Sequence, residues 1–240
     1  MLAVGGLLLA QGPNPDRPVV FVAGDFAGAP AGALPAGWQP LTFPNVKSHT
    51  QYAAVADTVH GQVIEATAVA SASGLVRKLS LDARAYPLLR WQWKTNGLIV
   101  KSDVSSKDGD DYPARIYVSF AYDPARVSWL ERARYGAARL IYGEYPPHSG
   151  LNYIWEGKAP VGTVVPNPFT ARVKMIVVES GAARLGQWLR YERNIIDDYR
   201  LAFGEDPPLI SGVAIMTDTD NTGESAVARY GNVEFAGMPR

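Results

Sequence analysis

Residues 114–120, ARIYVSF, place the first constraint on the fold. Ala114, Ile116, Val118 and Phe120 alternate with Arg115, Tyr117 and Ser119, the two-residue period of a half-buried strand. One face of such a strand belongs to a core. The other presents a guanidinium, a phenol and a hydroxyl in a row, with Asp110 and Asp111 just before it. That row suits hydrogen bonding to a hydroxylated ligand. A polar outer face is also what plain solvation of an antiparallel sheet produces, and from the strand alone solvation is the favoured reading.

The rest of the chain supplies strands to pair with this one. Residues 18–23, 38–43, 62–68, 74–81, 88–94, 151–156, 172–179, 187–193, 210–217 and 226–235 are rich in β-branched, leucine or aromatic residues and separated by turn formers. In 88–94, Leu89, Trp91 and Trp93 share a face opposite Arg90, Gln92 and Lys94, so the two tryptophans read as core before they read as a sugar platform. Two helices interrupt the strands. Asp123 and Pro124, followed by the Ser128/Glu131 capping box, start one whose apolar stripe is Trp129, Ala133, Ala137, Leu140 and Ile141, expected to lie across the sandwich. Asn194 caps a shorter one carrying Ile195, Tyr199, Ala202 and Phe203, stopped by Gly204 and Pro207. The fold class expected is mainly β: an antiparallel, jelly-roll-like β-sandwich with two short helical crossovers.

Composition narrows what such a sandwich can do. Lysine plus arginine and aspartate plus glutamate both number 23, so no global field draws the chain to nucleic acid or an anionic bilayer. The absence of cysteine removes disulfides, thiolate metal sites and a cysteine nucleophile together. His49, His60 and His148 lack metal-ligand spacing and read as ordinary loop residues. The apolar start MLAVGGLLLAQG has the length of a signal-peptide core without its basic flank, and it is too short to span a bilayer. Residues 1–18 are therefore expected to be a leader or its remnant, and 19–240 one sandwich domain, periplasmic or secreted.

Candidate ligand-binding residues are Asp110, Asp111, Arg115, Tyr117, Trp155, Glu156, Trp188, Arg190 and Glu192, since planar hydrogen bonders and aromatic faces hold sugars. The carboxylates Asp110, Asp111, Glu156 and Glu192 are the candidates for acid–base work. In 218–225, DTDNTGES, the residues Asp218, Asp220 and Thr222 followed by Gly223 match the start of a calcium loop. An EF-hand would need a glutamate where Arg229 stands, and the same residues make an ordinary polar turn, which is preferred; calcium stays open as a cofactor and no other is implied. Hydrolase elbows, phosphate loops and dinucleotide fingerprints are missing.

The segments GDDYPARIYVSF, LNYIWEG, WLRYERNIIDDYRLAFGEDPP and ISGVAIMTDTDNTGESAVARYGNVEF, in that order, resemble the DUF3047 family of bacterial proteins. Its matching positions here are Asp110, Asp111, Arg115, Tyr153, Trp155, Glu192, Asp198, Asp218, Asp220 and Asn221. The resemblance implies a jelly roll related to galactose-binding-like sandwiches, and glycan binding by analogy of fold. Three functions are carried forward: extracytoplasmic carbohydrate binding, glycan cleavage by a hydrolase or lyase using Arg115, Tyr117 and a carboxylate, and structural assembly in the envelope. An open groove with aromatics favours the first, a cleft with two facing carboxylates the second, and a large exposed apolar patch the third.

Overall fold

The computed structural model describes residues 18–142 and 145–238; the expected leader lies outside them apart from Pro18. In chain order the first strands are β1 (Val20–Gly24), β2 (Gln39–Leu41), β3 (Gln51–Asp57), β4 (Gly61–Val69), β5 (Ala72–Leu81), β6 (Leu88–Thr95) and β7 (Arg115–Phe120). Helix α1 (Trp129–Tyr142) leads to β8 (Ser149–Glu156), β9 (Val164–Asn167), β10 (Thr170–Ser180) and β11 (Leu189–Asn194). After α2 (Ile195–Phe203) come β12 (Ile210–Asp218), β13 (Ser225–Tyr230) and β14 (Val233–Ala236).

These strands form two sheets packed face to face, a jelly-roll-like sandwich. The first sheet runs β1-β14-β6-β13-β4-β3, with β11 also pairing β6; the second runs β2-β5-β12-β7-β8-β10-β9. The alternating stretch that sets the fold thus occupies the middle of the second sheet, as β7, with β12 and β8 on either side. Its inward residues Ile116, Val118 and Phe120 are fully buried and belong to the same core as Trp91 and Trp93 of β6, also fully buried. Trp91 packs on Tyr153 with ring centroids 5.2 Å apart, and Trp93 on Trp155 at 6.4 Å, so one aromatic layer joins the two sheets.

Both helix starts follow the expected chemistry. The Ser128 hydroxyl accepts from the Glu131 amide at 3.3 Å while the Glu131 carboxylate accepts from the Ser128 amide at 3.2 Å. The Asn194 side-chain oxygen accepts from the amides of Ile196 and Asp197, and Gly204 ends α2 at φ 77°, a left-handed conformation that glycine adopts without strain.

The departures are informative. β8 and β10 run parallel, although an all-antiparallel arrangement was expected, because β9 intervenes and pairs antiparallel with β10 at the sheet edge. β12 and β13 do not form a hairpin: they belong to opposite sheets, so 218–225 is a bridge over one end of the sandwich. The expected strand 226–235 is bent by a bulge: Tyr230 pairs with Trp93 and Glu234 with Arg90, so four steps along one strand match three along the other. The bend lets β13 reach β4 and β14 reach β1. β3 and β9 were not anticipated, since neither QYAAVAD nor VVPN carries a strong apolar alternation. In α1, Trp129 is 79% exposed, contrary to the buried stripe expected; Tyr135 is the buried anchor, and the side chains of Ala137, Leu140 and Ile141 lie outside the described residues.

Candidate binding cleft

The outer face of the second sheet is built around Arg115. Its side chain is 1% exposed, and all five of its N–H donors are used within the protein. Nε donates to Asp218 Oδ1 at 2.8 Å and Nη2 to Asp218 Oδ2; Nη2 also donates to the Asp110 carbonyl. Nη1 donates to Asp110 Oδ1 at 3.2 Å and to the Tyr117 hydroxyl at 3.0 Å. The guanidinium lies 4.4 Å from the centre of the Tyr112 ring. Arg115 was expected to bind ligand; with no donor left over, it is a clamp that fixes Tyr117 and Asp110 in place.

Carboxylates crowd the start of β7. Asp110 Oδ2 accepts from the Asn167 amide at 2.7 Å, and Asp111 Oδ2 accepts from the Thr222 amide at 2.6 Å. Asp218 Oδ1 also accepts from the Tyr112 amide. Burial, set against the pull of Arg115 and helped by Asp111 and Asp110, pushes the Asp218 carboxyl up to about 8. Burial and Asp111 likewise raise Asp220, which is only partly covered. Burial also moves the Tyr117 hydroxyl well above its ordinary range, keeping it a neutral hydrogen bonder.

Above this network a cleft of about 770 Å³ opens across β5, β12, β7, β8 and β10. Its floor is Val76, Ala214, Met216, Tyr117, Ser119, Gly150 and Val173, the outward positions of adjacent strands. Gly150 leaves the floor open: a Cβ there would sit at ordinary contact distance, 3.4 Å from the Val118 carbonyl and 3.5 Å from Val173. Loops and the start of β10 raise the walls: Phe43 and Asn45 on one side, His148, Phe169 and, from β10, Arg172 on the other, Asp220 and Asn221 at the acidic end. Phe169 sits on the β9–β10 turn and is 56% exposed. Arg172 is tied to the start of α1 through Glu131 at 2.8 Å, and His148 Nδ1 lies 3.3 Å from the Tyr135 hydroxyl. Burial and Arg172 lower the His148 pKa, which favours its neutral form.

The sandwich brings some of the sequence-predicted residues together and disperses the others. Asp110, Arg115, Tyr117, Asp218 and Asp220 all line the cleft, while Asp111 lies buried behind it. Trp155 points into the core between the sheets, its indole N–H donating to the Gly181 carbonyl at 3.1 Å, so it offers no surface to a ligand. Glu156 is buried as a loop anchor that accepts from the Ser102 hydroxyl and from the amides of Lys158 and Ala159. Trp188, Arg190 and Glu192 belong to the other sheet: Glu192 pairs with Arg90 at 2.5 Å, and Trp188 donates to Asp57 at 3.2 Å. A strand's period assigns residues to a face, yet does not say which sheet owns it. Phe43, Asn45, Asn167, Phe169 and Arg172 line the cleft without having been singled out in the sequence, and His148, read there as an ordinary loop residue, lines it too. An aromatic beside a proline in a turn, as in NPF at 167–169, is the signal that could have marked one of them.

Residues 36–234 match the family described as protein of unknown function, DUF3047. No curated protein matches the chain. Among solved structures, the family 11 carbohydrate-binding module of the cellulosomal cellulase Lic26A-Cel5E of Clostridium thermocellum is similar at 10% identity, with a TM-score of 0.44 over 92% of this chain and 95% of that one. A family 29 carbohydrate-binding module complexed with cellulohexaose gives a TM-score of 0.36 at 10% identity over 92% of each chain. Endoglucanase 3 of Trichoderma harzianum, from family GH12, gives 0.36 at 10% identity, over 84% of this chain and 98% of that one.

Proposed function

The chain belongs to the DUF3047 family, whose description assigns no function, and we propose that it binds a carbohydrate in the cleft over β7. The observation that carries this reading is the lining: aromatic surfaces from Phe43, Tyr117 and Phe169 stand among the polar groups of Asn45, Ser119, His148, Arg172 and Asn221. Sugar rings present apolar faces to aromatics and hydroxyls to planar hydrogen bonders, and a cleft of this size falls in the usual range for small-molecule sites. The cleavage reading draws less from the same geometry. Arg115 has no free donor and holds the Tyr117 hydroxyl, and both oxygens of Asp110, one of the candidate carboxylates, already accept hydrogen bonds, so these groups are engaged in holding the site's shape. An extracytoplasmic setting is part of the proposal and rests on the apolar N-terminal run alone.

The test is a glycan array on purified protein, with product analysis of the retained sugars. Binding without turnover is expected, and Phe169→Ala, exposed enough to leave the fold intact, should lose most of it. The reading is overturned if no glycan is retained, or if Phe169→Ala and Asn221→Ala both bind as wild type does.

A further inference from the structure

We propose that Asp111, Asp218 and Asp220 hold a hard divalent cation of the calcium class, which ties the 218–225 bridge to the start of β7. One carboxylate oxygen from each of the three lies within 4.8 Å of the others. An ion held at about 2.3–2.6 Å from each oxygen fits between atoms so spaced.

A separate observation points to a missing partner. Asp111 is fully buried, and while its Oδ2 accepts from the Thr222 amide, its Oδ1 is buried without any hydrogen-bond donor. A carboxylate oxygen in that position carries a large desolvation cost unless a donor or a cation meets it. Local charge leads to the same place. Four carboxylates, Asp110, Asp111, Asp218 and Asp220, gather around one guanidinium, which pairs with Asp110 and Asp218. Among the described residues no ion pair involves Asp111 or Asp220. A divalent ion would offset the excess where it is greatest.

The ligand set differs from the one expected from sequence. Thr222 gives its amide to Asp111 and so positions a ligand instead of being one. Asp111 takes its place, brought 107 positions along the chain to Asp218 by the pairing of β7 with β12. Since Asp220 also lines the cleft, the ion would sit at the cleft's acidic end and fix the loop that forms it.

The experiment uses the full chain stripped of metal with chelator, and no sugar, so that its outcome is independent of the carbohydrate reading. Calcium chloride is titrated by calorimetry and in thermal melts. One ion per chain and a melting temperature that rises to a plateau are expected. Asp220→Asn, at a partly exposed position, should keep the metal-free melting temperature and bind calcium at least about tenfold more weakly. No heat and no thermal shift up to about 10 mM calcium, beyond the range of extracellular calcium modules, overturns the proposal. Wild-type affinity in both Asp220→Asn and Asp111→Asn overturns it as well.

Discussion

Replacing Arg115 with methionine, similar in length and uncharged, tests whether the guanidinium is a clamp. The substitution removes five hydrogen bonds at once, two of them to Asp218 and two to Asp110. The losses are unequal. Asp110 keeps the Asn167 amide at 2.7 Å, whereas Asp218, 3% exposed, is left with the Tyr112 amide at 3.2 Å. Removing one member of a buried ion pair typically costs about 3–5 kcal/mol, and Asp218 is the partner left behind here, a stranded charge above its raised pKa and a buried carboxyl short of hydrogen-bond partners below it. Arg115→Lys should recover only part of this, since one ammonium cannot span both carboxylates as the guanidinium fork does. Urea unfolding followed by tryptophan fluorescence in chelator measures the cost without interference from bound metal. Adding Asp218→Asn to Arg115→Met should relieve on the order of 2 kcal/mol of it, as coupled neighbours do. A loss under about 1 kcal/mol for Arg115→Met, or additive effects in the double variant, would refute the clamp.

Two further outcomes follow from the packing and from pH. Trp93→Ala should cost about 3–5 kcal/mol, because the ring is fully buried against Trp91 and Trp155, and it should leave glycan binding by the folded fraction unchanged; lost binding at an unchanged melting temperature would move the site to that face. Burial pushes the Asp57 carboxyl up, but the Val59 and His60 amides, the Trp188 indole and Lys94 outweigh it and bring it down to about 2 from 3.8. A carboxylate held below its unfolded pKa stabilises the fold above about pH 4 and loses that contribution as pH falls toward 2. Wild type should therefore exceed Asp57→Asn by roughly 1–2 kcal/mol at pH 5, after allowing for solvent screening, with the gap closing by pH 2; a gap independent of pH in urea melts across that range would count against it.

Periodicity made the middle of the fold legible. The alternation in 114–120 and in 88–94 separated inward from outward positions, and Trp91 and Trp93 are buried as their polar neighbours implied, but on the outward face of 114–120 Arg115 is buried too and not solvated as the strand alone suggested. Cap chemistry is local, so Ser128, Glu131 and Asn194 could be read without knowing the fold. Pairing across long sequence distances could not be read in this way. Trp188, Arg190 and Glu192 alternate as well as Arg115 and Tyr117 do, and only the sheet order places them on opposite sides of the sandwich. Asp111 and Asp218 looked like two unrelated turns until β7 and β12 were seen side by side. Short motifs therefore identified the acidic end of the cleft in part, while its walls, contributed by four separate loops and the start of β10, left little trace in the sequence.

The position of β12 bears on how the chain is made. It fills the gap between β5 and β7, so the second sheet stays split until residues 210–218 emerge, and β13 and β14 complete the first sheet later still. During synthesis from the N-terminus, the chain has no closed sheet to collapse onto for most of its length. Pairings that distant are slow to form. A nascent chain of this topology can pair β3 with β4, and β7 with β8, β10 and β9, at an early stage, but neither sheet is complete until about its last thirty residues are made.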